Sequence, residues 1–230
     1  MSDSSIPAHI GIILDGNRRW ARKRMLPSMQ GHKKGYENLK TIADAAFDRG
    51  VKYLTAYVFS TENWKRSEEE VSGLMNFALH VARNEIDEMH KKGIRVLFLG
   101  SREKLSEELL QAIMDAEQKT KDNSRGTVGL CFNYGGHLEI VDAVKQIVSD
   151  GLSEDEVTEE ELQKRLYHPE LPQIDLVIRT SGESRLSNFM LWRVAYSELL
   201  FVDKHWPAFK VADLEAALAE FASRQRRFGT

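Results

Sequence analysis

Hydrophobic and polar positions along the 230-residue chain fall into two alternating regimes. Short apolar runs occur at 10–14, 53–59, 94–99, 128–132, 176–178 and 199–202. They are too short for helices and are bounded by glycine or polar clusters, so they predict six strands. Between them, apolar residues recur at helical spacing. Val71, Leu74, Met75 and Ala78 form one such stripe, which continues through Ala82, Ile86 and Met89. Leu105, Leu109, Ala112, Ile113 and Ala116 form a second, and Leu214, Ala217, Leu218 and Phe221 a third. Ser67 with Glu70 and Thr158 with Glu161 predict capping boxes at two helix starts. Gly50, Gly93 and Gly126 each fall between a helix and the next strand, where a C-terminal cap is expected. The acidic run at 154–161 reads as a solvated loop and first helical turn. Strands separated by helices make βαβ units. The expected fold is therefore α/β, one domain over 1–230, with a mostly parallel central sheet of about six strands covered by helices on both faces.

In such a sheet, ligands collect beyond the carboxyl ends of the strands, and four of those ends carry chemistry here. The first strand runs into Asp15-Gly16-Asn17-Arg18-Arg19-Trp20 and the second into Ser60-Thr61-Glu62-Asn63-Trp64-Lys65-Arg66. The fourth runs into Asn133-Tyr134-Gly135-Gly136-His137. The fifth ends in Arg179-Thr180-Ser181-Gly182-Glu183-Ser184-Arg185-Leu186-Ser187-Asn188. An acid at Asp15, a turn, and arginines at 18, 19, 22 and 24 suit an anionic ligand carrying a metal ion: guanidinium forks take phosphate oxygens, and a hard carboxylate oxygen suits Mg²⁺. Taken alone, that segment reads equally as a plain Asp-Gly turn before a solvated helix. Recurrence of the same residue types at four ends favours an oxyanion site, and two phosphate-bearing ligands account for the arginines better than one. His32 stands near the first cluster as a candidate phosphate donor.

Composition narrows the classes. Net charge is −3, so any positive field comes from local grouping, not from overall charge. No interleaved stacking aromatics accompany the arginines, which argues against a nucleic-acid module. The chain lacks the common nucleotide loops, a nucleophile elbow and zinc-type Cys/His spacing. Cys131 is the single cysteine, so a reducing cytoplasm is expected, and no secretory pattern or membrane-spanning apolar stretch is present.

At these residues the chain resembles the cis-prenyltransferases, the undecaprenyl diphosphate synthase family. The motifs run in order from the first-strand segment at 9–21 through Gly31-His32-Lys33-Lys34-Gly35, the second-strand segment at 59–66, Asn133-Tyr134-Gly135-Gly136, the segments at 175–183 and 185–189, Leu191-Trp192, 195–199, and Arg226-Arg227-Phe228-Gly229. The resemblance implies Mg²⁺-dependent condensation of isopentenyl diphosphate onto an allylic diphosphate (farnesyl or geranyl) with formation of cis double bonds, giving an undecaprenyl-type lipid-carrier precursor. It also implies a homodimer, peripheral membrane contact for product release, and an apolar substrate channel between sheet and helices. A wall of that channel is expected on the helix at 68–90. By the same resemblance Asp15 organises Mg²⁺, and Gly16, Asn17, Arg18, Arg19 and His32 cradle the allylic diphosphate. Trp20, Ser28, Ser60, Thr61 and Glu62 belong to the substrate-binding segments. Asn63 is associated with proton removal, helped by Arg66, with Trp64 packing alongside. Arg179, Arg185, Leu186 and Ser187 hold isopentenyl diphosphate, Glu198 is a second Mg²⁺-associated carboxylate, and Arg227 to Gly229 reach a partner's site.

Three departures from the family pattern stand out. Ser28 replaces an arginine three residues before Gly31, so a phosphate contact is absent or comes from a neighbour such as Arg24. Ser67 replaces a proline, and His137 an arginine. A non-catalytic partner subunit of a heteromeric prenyltransferase is the competing reading. Retention of Asp15, Asn63, Arg179 and Arg185 weighs against it.

Overall fold

The computed structural model describes residues 5–224. Six strands form one sheet: β1 (His9–Ile13), β2 (Tyr53–Ser60), β3 (Ile94–Leu99), β4 (Gly126–Tyr134), β5 (Leu176–Thr180) and β6 (Glu198–Val202). Their order is β3-β4-β2-β1-β5-β6, and every pairing is parallel. The chain steps from β1 to β2 on one side and later crosses to β5 on the other. The carboxyl end of β1 is therefore a switch point, where neighbouring connections diverge and leave a crevice.

The helices are α1 (Asn17–Arg22), α2 (Ser28–Asp48), α3 (Glu68–His80), α4 (Ile86–Lys91), α5 (Glu107–Thr120), α6 (Gly136–Ser149), α7 (Glu159–Gln163) and α8 (Val211–Ser223). A π-helical stretch, Val81–Glu85, joins α3 to α4, so the expected long helix is one run with a local widening. Apart from the edge strand β6, the strands are largely buried on both faces, yet they still sort by alternation. Ile10, Ile12, Leu54, Ala56, Val128 and Leu130 join the larger core, whereas Ile13, Leu97, Leu99, Cys131 and Val177 join a smaller core on the other face. Among the described residues, no helix is long and apolar enough to cross a membrane.

Local expectations hold only in part. Ser67 and Thr158 do cap α3 and α7, each accepting a backbone N–H from the residue three ahead. Neither glutamate returns the bond. Glu70 turns to arginines, and Glu161 to Lys164 and Arg165. Gly50 and Gly93 have the positive φ of helix caps. Gly126 instead opens β4, and a Cβ there would lie 2.5 Å from the Phe47 ring, so close packing is what requires glycine.

Candidate active site

The site grows from the β1 end. Beyond Ile13 the chain turns through Asp15 and Gly16, whose φ is +99°. The Asp15 carbonyl accepts from Trp206 N (2.9 Å) and from the Thr180 hydroxyl (2.8 Å), fixing the turn to the ends of β6 and β5. Asn17 then packs into a groove that α2 keeps open with two glycines one turn apart. A Cβ on Gly31 would sit 2.2 Å from the Asn17 carbonyl oxygen, and one on Gly35 would sit 2.5 Å from Asn17 Oδ1. The Gly31-His32-x-x-Gly35 spacing is thus the seat of α1 against α2.

Asp15 lies between two guanidiniums. Arg179 Nη2 donates to its Oδ2 at 3.1 Å, and Arg19 Nη2 pairs with its Oδ1 at 3.0 Å. Burial alone would raise this carboxyl. The two arginines outweigh it and hold Asp15 below the usual carboxylate range, so it is ionised. Arg179 is 3 % exposed. It also donates to Ser187 Oγ at 2.7 Å and to the Arg185 carbonyl, so one buried cation ties the β1 end to the loop after β5. That loop is strained: Ser181, Ser187, Asn188 and Met190 all have positive φ, and such residues gather at functional sites. Glu183 bridges Arg19 (3.1 Å) and Arg185 (2.6 Å), linking the two basic clusters.

The second-strand end closes the other side. Ser60 caps a 3₁₀ turn, Thr61–Lys65, and Asn63 reciprocates by accepting from Ser60 N at 3.1 Å. The Asn63 oxygen is thereby occupied, leaving its NH₂ to act. Glu62 accepts from Asn188 Nδ2 at 3.1 Å. Burial would raise its carboxyl, but hydrogen bonds from its own backbone, Ser60, Asn188 and Thr61 hold it low. Trp64 stacks edge-on against Phe59 and donates to Asn133 Oδ1 at 2.7 Å, clamping the ends of β2 and β4 together.

Three basic groups converge on Glu70, a residue whose sequence position alone predicts a helix-capping role. Arg66 lies at 2.9 Å, Arg18 at 3.4 Å and His32 Nε2 at 3.7 Å, the last beyond hydrogen-bond reach. Burial, aided by Arg66 and Arg18, pushes His32 down to about 4 against the pull of Glu70, so its ring is neutral. Its Nε2, Asn17 Oδ1 and Arg179 Nε are buried without a hydrogen-bond partner. Three orphaned polar atoms around one turn mark a place where a polar ligand would supply the missing bonds.

These groups line one end of a cavity of about 1200 Å³. Asp15, Gly16, Asn17, Arg18, Arg19 and Ser28 form its polar mouth, together with His32, Ser60, Glu62, Asn63 and Arg66, and with Arg179 and Ser187 across from them. The other end is apolar. Leu39 from α2, Leu74, Phe77 and Ala78 from α3, and Phe98, Leu130 and Phe132 from the sheet form its walls. Met75, also on α3, packs against the larger core. Arg22 lines the cavity, whereas Arg24 stacks over the Trp20 ring at 4.3 Å. Of these two arginines, Arg22 is the one that lines the same cavity as Ser28, while the side chain of Arg24 is engaged by its cation–π contact. Thr61 and Leu186 support the loops from behind, Thr61 against Gly135 and Leu186 against the smaller core.

One chain does not bring the two expected metal carboxylates together. Glu198 opens β6 in register with Leu176, which itself pairs with Ile10, at the opposite end of the sheet from Asp15. It accepts instead from Arg224 at 2.8 Å. Arg227 and Gly229 lie outside the described residues. No three His, Cys, Asp or Glu side chains among the described residues gather to cage a metal. The ionised Asp15 carboxylate at a mouth lined by arginines fits Mg²⁺, which commonly takes one or two carboxylates and completes its shell with substrate phosphates and water.

Comparison with known proteins agrees with this geometry. The family model described as "Putative undecaprenyl diphosphate synthase" matches residues 13–229. An isoprenyl transferase of Clostridium perfringens is 46 % identical, covering 99 % of this chain and 91 % of that protein. An isoprenyl transferase of Thermotoga maritima is 47 % identical over 97 % of each. Among solved structures, lavandulyl diphosphate synthase from Lavandula x intermedia, in complex with dimethylallyl diphosphate, superposes with a TM-score of 0.91. It is 34 % identical and covers 98 % of this chain and 99 % of that one. A chain that matches the family model from its first strand to its last residues, on the same fold and with the charged corner assembled, belongs to the undecaprenyl diphosphate synthase family of cis-prenyltransferases.

Proposed function

We propose that this protein catalyses Mg²⁺-dependent cis-prenyl chain elongation, joining isopentenyl diphosphate to an allylic diphosphate such as farnesyl or geranyl diphosphate and giving an undecaprenyl-type lipid-carrier precursor. One observation carries the reading: a single cavity holds an arginine-rich mouth around an ionised Asp15 at one end and an apolar barrel at the other. A prenyl diphosphate has the same two-ended chemistry.

Asp15, with Asn17 behind it, is the group that would hold Mg²⁺. When bound, that ion neutralises diphosphate oxygens as the allylic C–O bond breaks. The chain's own contribution is orientation and charge. Arg18, Arg19, Arg22 and neutral His32 receive the allylic diphosphate, which leaves with the bonding electron pair. Arg185 and Ser187, set by Arg179, hold the isopentenyl diphosphate so that its terminal alkene carbon meets the allylic carbon. A new C–C bond forms, the positive charge moves to the substituted alkene carbon C3, and one proton leaves C2 beside it, so that the new double bond forms between C2 and C3. An amide is too weak a base to keep that proton. Asn63, its oxygen tied to Ser60, orients the group through its NH₂, and the departing diphosphate takes the proton. Phe77, Ala78, Leu130 and Phe132 exclude water from the cationic carbon and receive the growing tail.

The reading includes a homodimer. Among the described residues β6 is an edge strand of the sheet, and Leu199 and Phe201 on it and Tyr196 beside it are exposed, a surface that suits a partner. A second copy docked there would bring Glu198 to the interface. Cytoplasmic placement with peripheral membrane contact suits a product whose tail is apolar. The non-catalytic alternative is disfavoured by the intact assembly of Asp15, Arg19, Asn63 and Arg179.

The test is incubation with isopentenyl diphosphate, Mg²⁺ and geranyl or farnesyl diphosphate, followed by sizing of products. Elongation is expected with at least one primer. Absence of elongation with every primer overturns the proposal.

A further inference from the structure

Behind the Asp15–Gly16 turn, outside the cavity lining, sits a pair that the reaction described above does not use. His205 Nδ1 lies 2.6 Å from Ser181 Oγ. Together they fill the space a side chain at residue 16 would need: a Cβ on Gly16 would meet Ser181 Oγ at 2.6 Å, His205 Nδ1 at 2.8 Å and His205 Cα at 3.0 Å. The pair is itself anchored. Ser181 holds φ at +82° and donates its N–H to the Lys204 carbonyl at 2.7 Å. Next to His205, Trp206 donates its backbone N–H to the Asp15 carbonyl and its indole N–H to the Gly35 carbonyl at 2.7 Å. Asn38 on α2 donates to the Trp206 carbonyl at 2.9 Å. The corner after β6 thus connects α2, the β5 loop and the Asp15 turn. His205 Nε2 is buried and has no hydrogen-bond partner among the described residues. A buried ring nitrogen left unpaired is unfavourable, and an apolar side chain of similar size would avoid it. The polar contact this histidine does make is the one between Nδ1 and Ser181.

We infer that His205 is a positioning residue: through Ser181 it braces the left-handed Gly16 turn from behind and so sets the aim of the Asp15 carboxylate into the cavity. The inference rests on the reading of Asp15 as the centre of the diphosphate site. The brace acts on geometry, so its removal mis-aims a group and leaves the fold in place.

The experiment compares His205→Leu, Ser181→Ala, the double variant and His205→Asn in steady-state elongation and in thermal melts. His205→Leu keeps volume but loses Nδ1. His205→Asn places an amide where Nδ1 stood. Expected is about a tenfold fall in kcat for His205→Leu and for Ser181→Ala, with KM for both substrates within about twofold of wild type. The double variant is expected to be no worse than either single one, and His205→Asn to recover most of the rate. Wild-type kcat in His205→Leu, additive losses in the double variant, or a His205→Asn as slow as His205→Leu would overturn the brace. If wild-type protein shows no elongation at all, the functional reading fails on its own. The brace is then judged by crystal structures of wild type and His205→Leu, in which the Asp15–Gly16 turn should move relative to α2. A turn that superposes in the two proteins overturns it.

Discussion

Gly31→Ala probes how the site is aimed. A methyl group at residue 31 would lie 2.2 Å from the Asn17 carbonyl oxygen and 2.9 Å from its carbon, whereas ordinary contact starts at 3.4 Å. The obstacle is backbone, so it cannot rotate aside. α1 and α2 must separate by about 1 Å, an overpacking that costs about 1–3 kcal/mol of stability. Asn17 directly follows the Asp15–Gly16 turn, and the displacement passes to Asp15. Misplacement of a reacting group by about 1 Å lowers rates by roughly 100-fold. The assay is the initial rate of labelled isopentenyl diphosphate incorporation, with a thermal melt on the same preparation. Gly73→Ala is the control. The atom it meets is Met29 Cε, at 2.8 Å, the free tip of a flexible side chain. Its helix gains up to about 1 kcal/mol from alanine. Expected is a kcat/KM about two orders of magnitude lower for Gly31→Ala and near wild type for Gly73→Ala. A Gly31→Ala protein with a lowered Tm but unchanged kcat/KM would refute the idea that the α1–α2 seat aims Asp15.

Further outcomes follow from the same geometry. Because Arg22, unlike Arg24, lines the same cavity as Ser28, Ser28→Arg should lower KM for the allylic diphosphate severalfold and Arg22→Ala should raise it by about tenfold; unchanged KM in both would contradict the assignment. Arg179→Met removes the buried tie between Asp15, Ser187 and the Arg185 carbonyl and should lower kcat/KM by at least about 100-fold while costing about 3 kcal/mol or more in denaturant melts. His9 and His32 are pushed down to about 4, chiefly by burial; at His9 the Arg193 charge adds to burial, and together they outweigh the opposing pull of the Pro172 carbonyl on Nδ1 and of Asp175. Unfolded histidines take up protons near 6.5, so folding stability is full above that pH and falls as pH drops from about 6.5 towards 4, by up to about 3 kcal/mol per histidine. Urea melts at pH 8, 6 and 5 read this directly, and equal midpoints would sink it.

Much of the fold was legible because strands buried on both faces leave short, dense apolar runs, and the run at 94–99 coincides with β3 to the residue. The candidate site was legible where polar and glycine residues interrupt those runs, at Asp15-Gly16, Ser60 to Asn63 and Arg179 to Asn188. What escaped were groups whose meaning depends on distant partners. Glu70 looks like a cap residue until Arg18, Arg66 and His32 arrive from three other elements. Trp206 reads as one more buried aromatic, yet its backbone N–H closes the Asp15 turn. Arg24 and Arg22 are indistinguishable by spacing, and only the Trp20 ring separates them. Glu198 shows the converse limit: a motif residue that the topology of a single chain places at the far end of the sheet.

The most direct test of the central claim, an Asp15-centred site that joins two prenyl diphosphates, is the geometry of the first bond made. With Mg²⁺, farnesyl diphosphate and ¹³C-labelled isopentenyl diphosphate, NMR of the product reports whether the new double bond is cis or trans, in wild type and in Asp15→Ala. The account predicts a cis bond from wild type and at least about a 1000-fold loss of rate in Asp15→Ala. A trans bond, or an Asp15→Ala protein that elongates as fast as wild type, would contradict it.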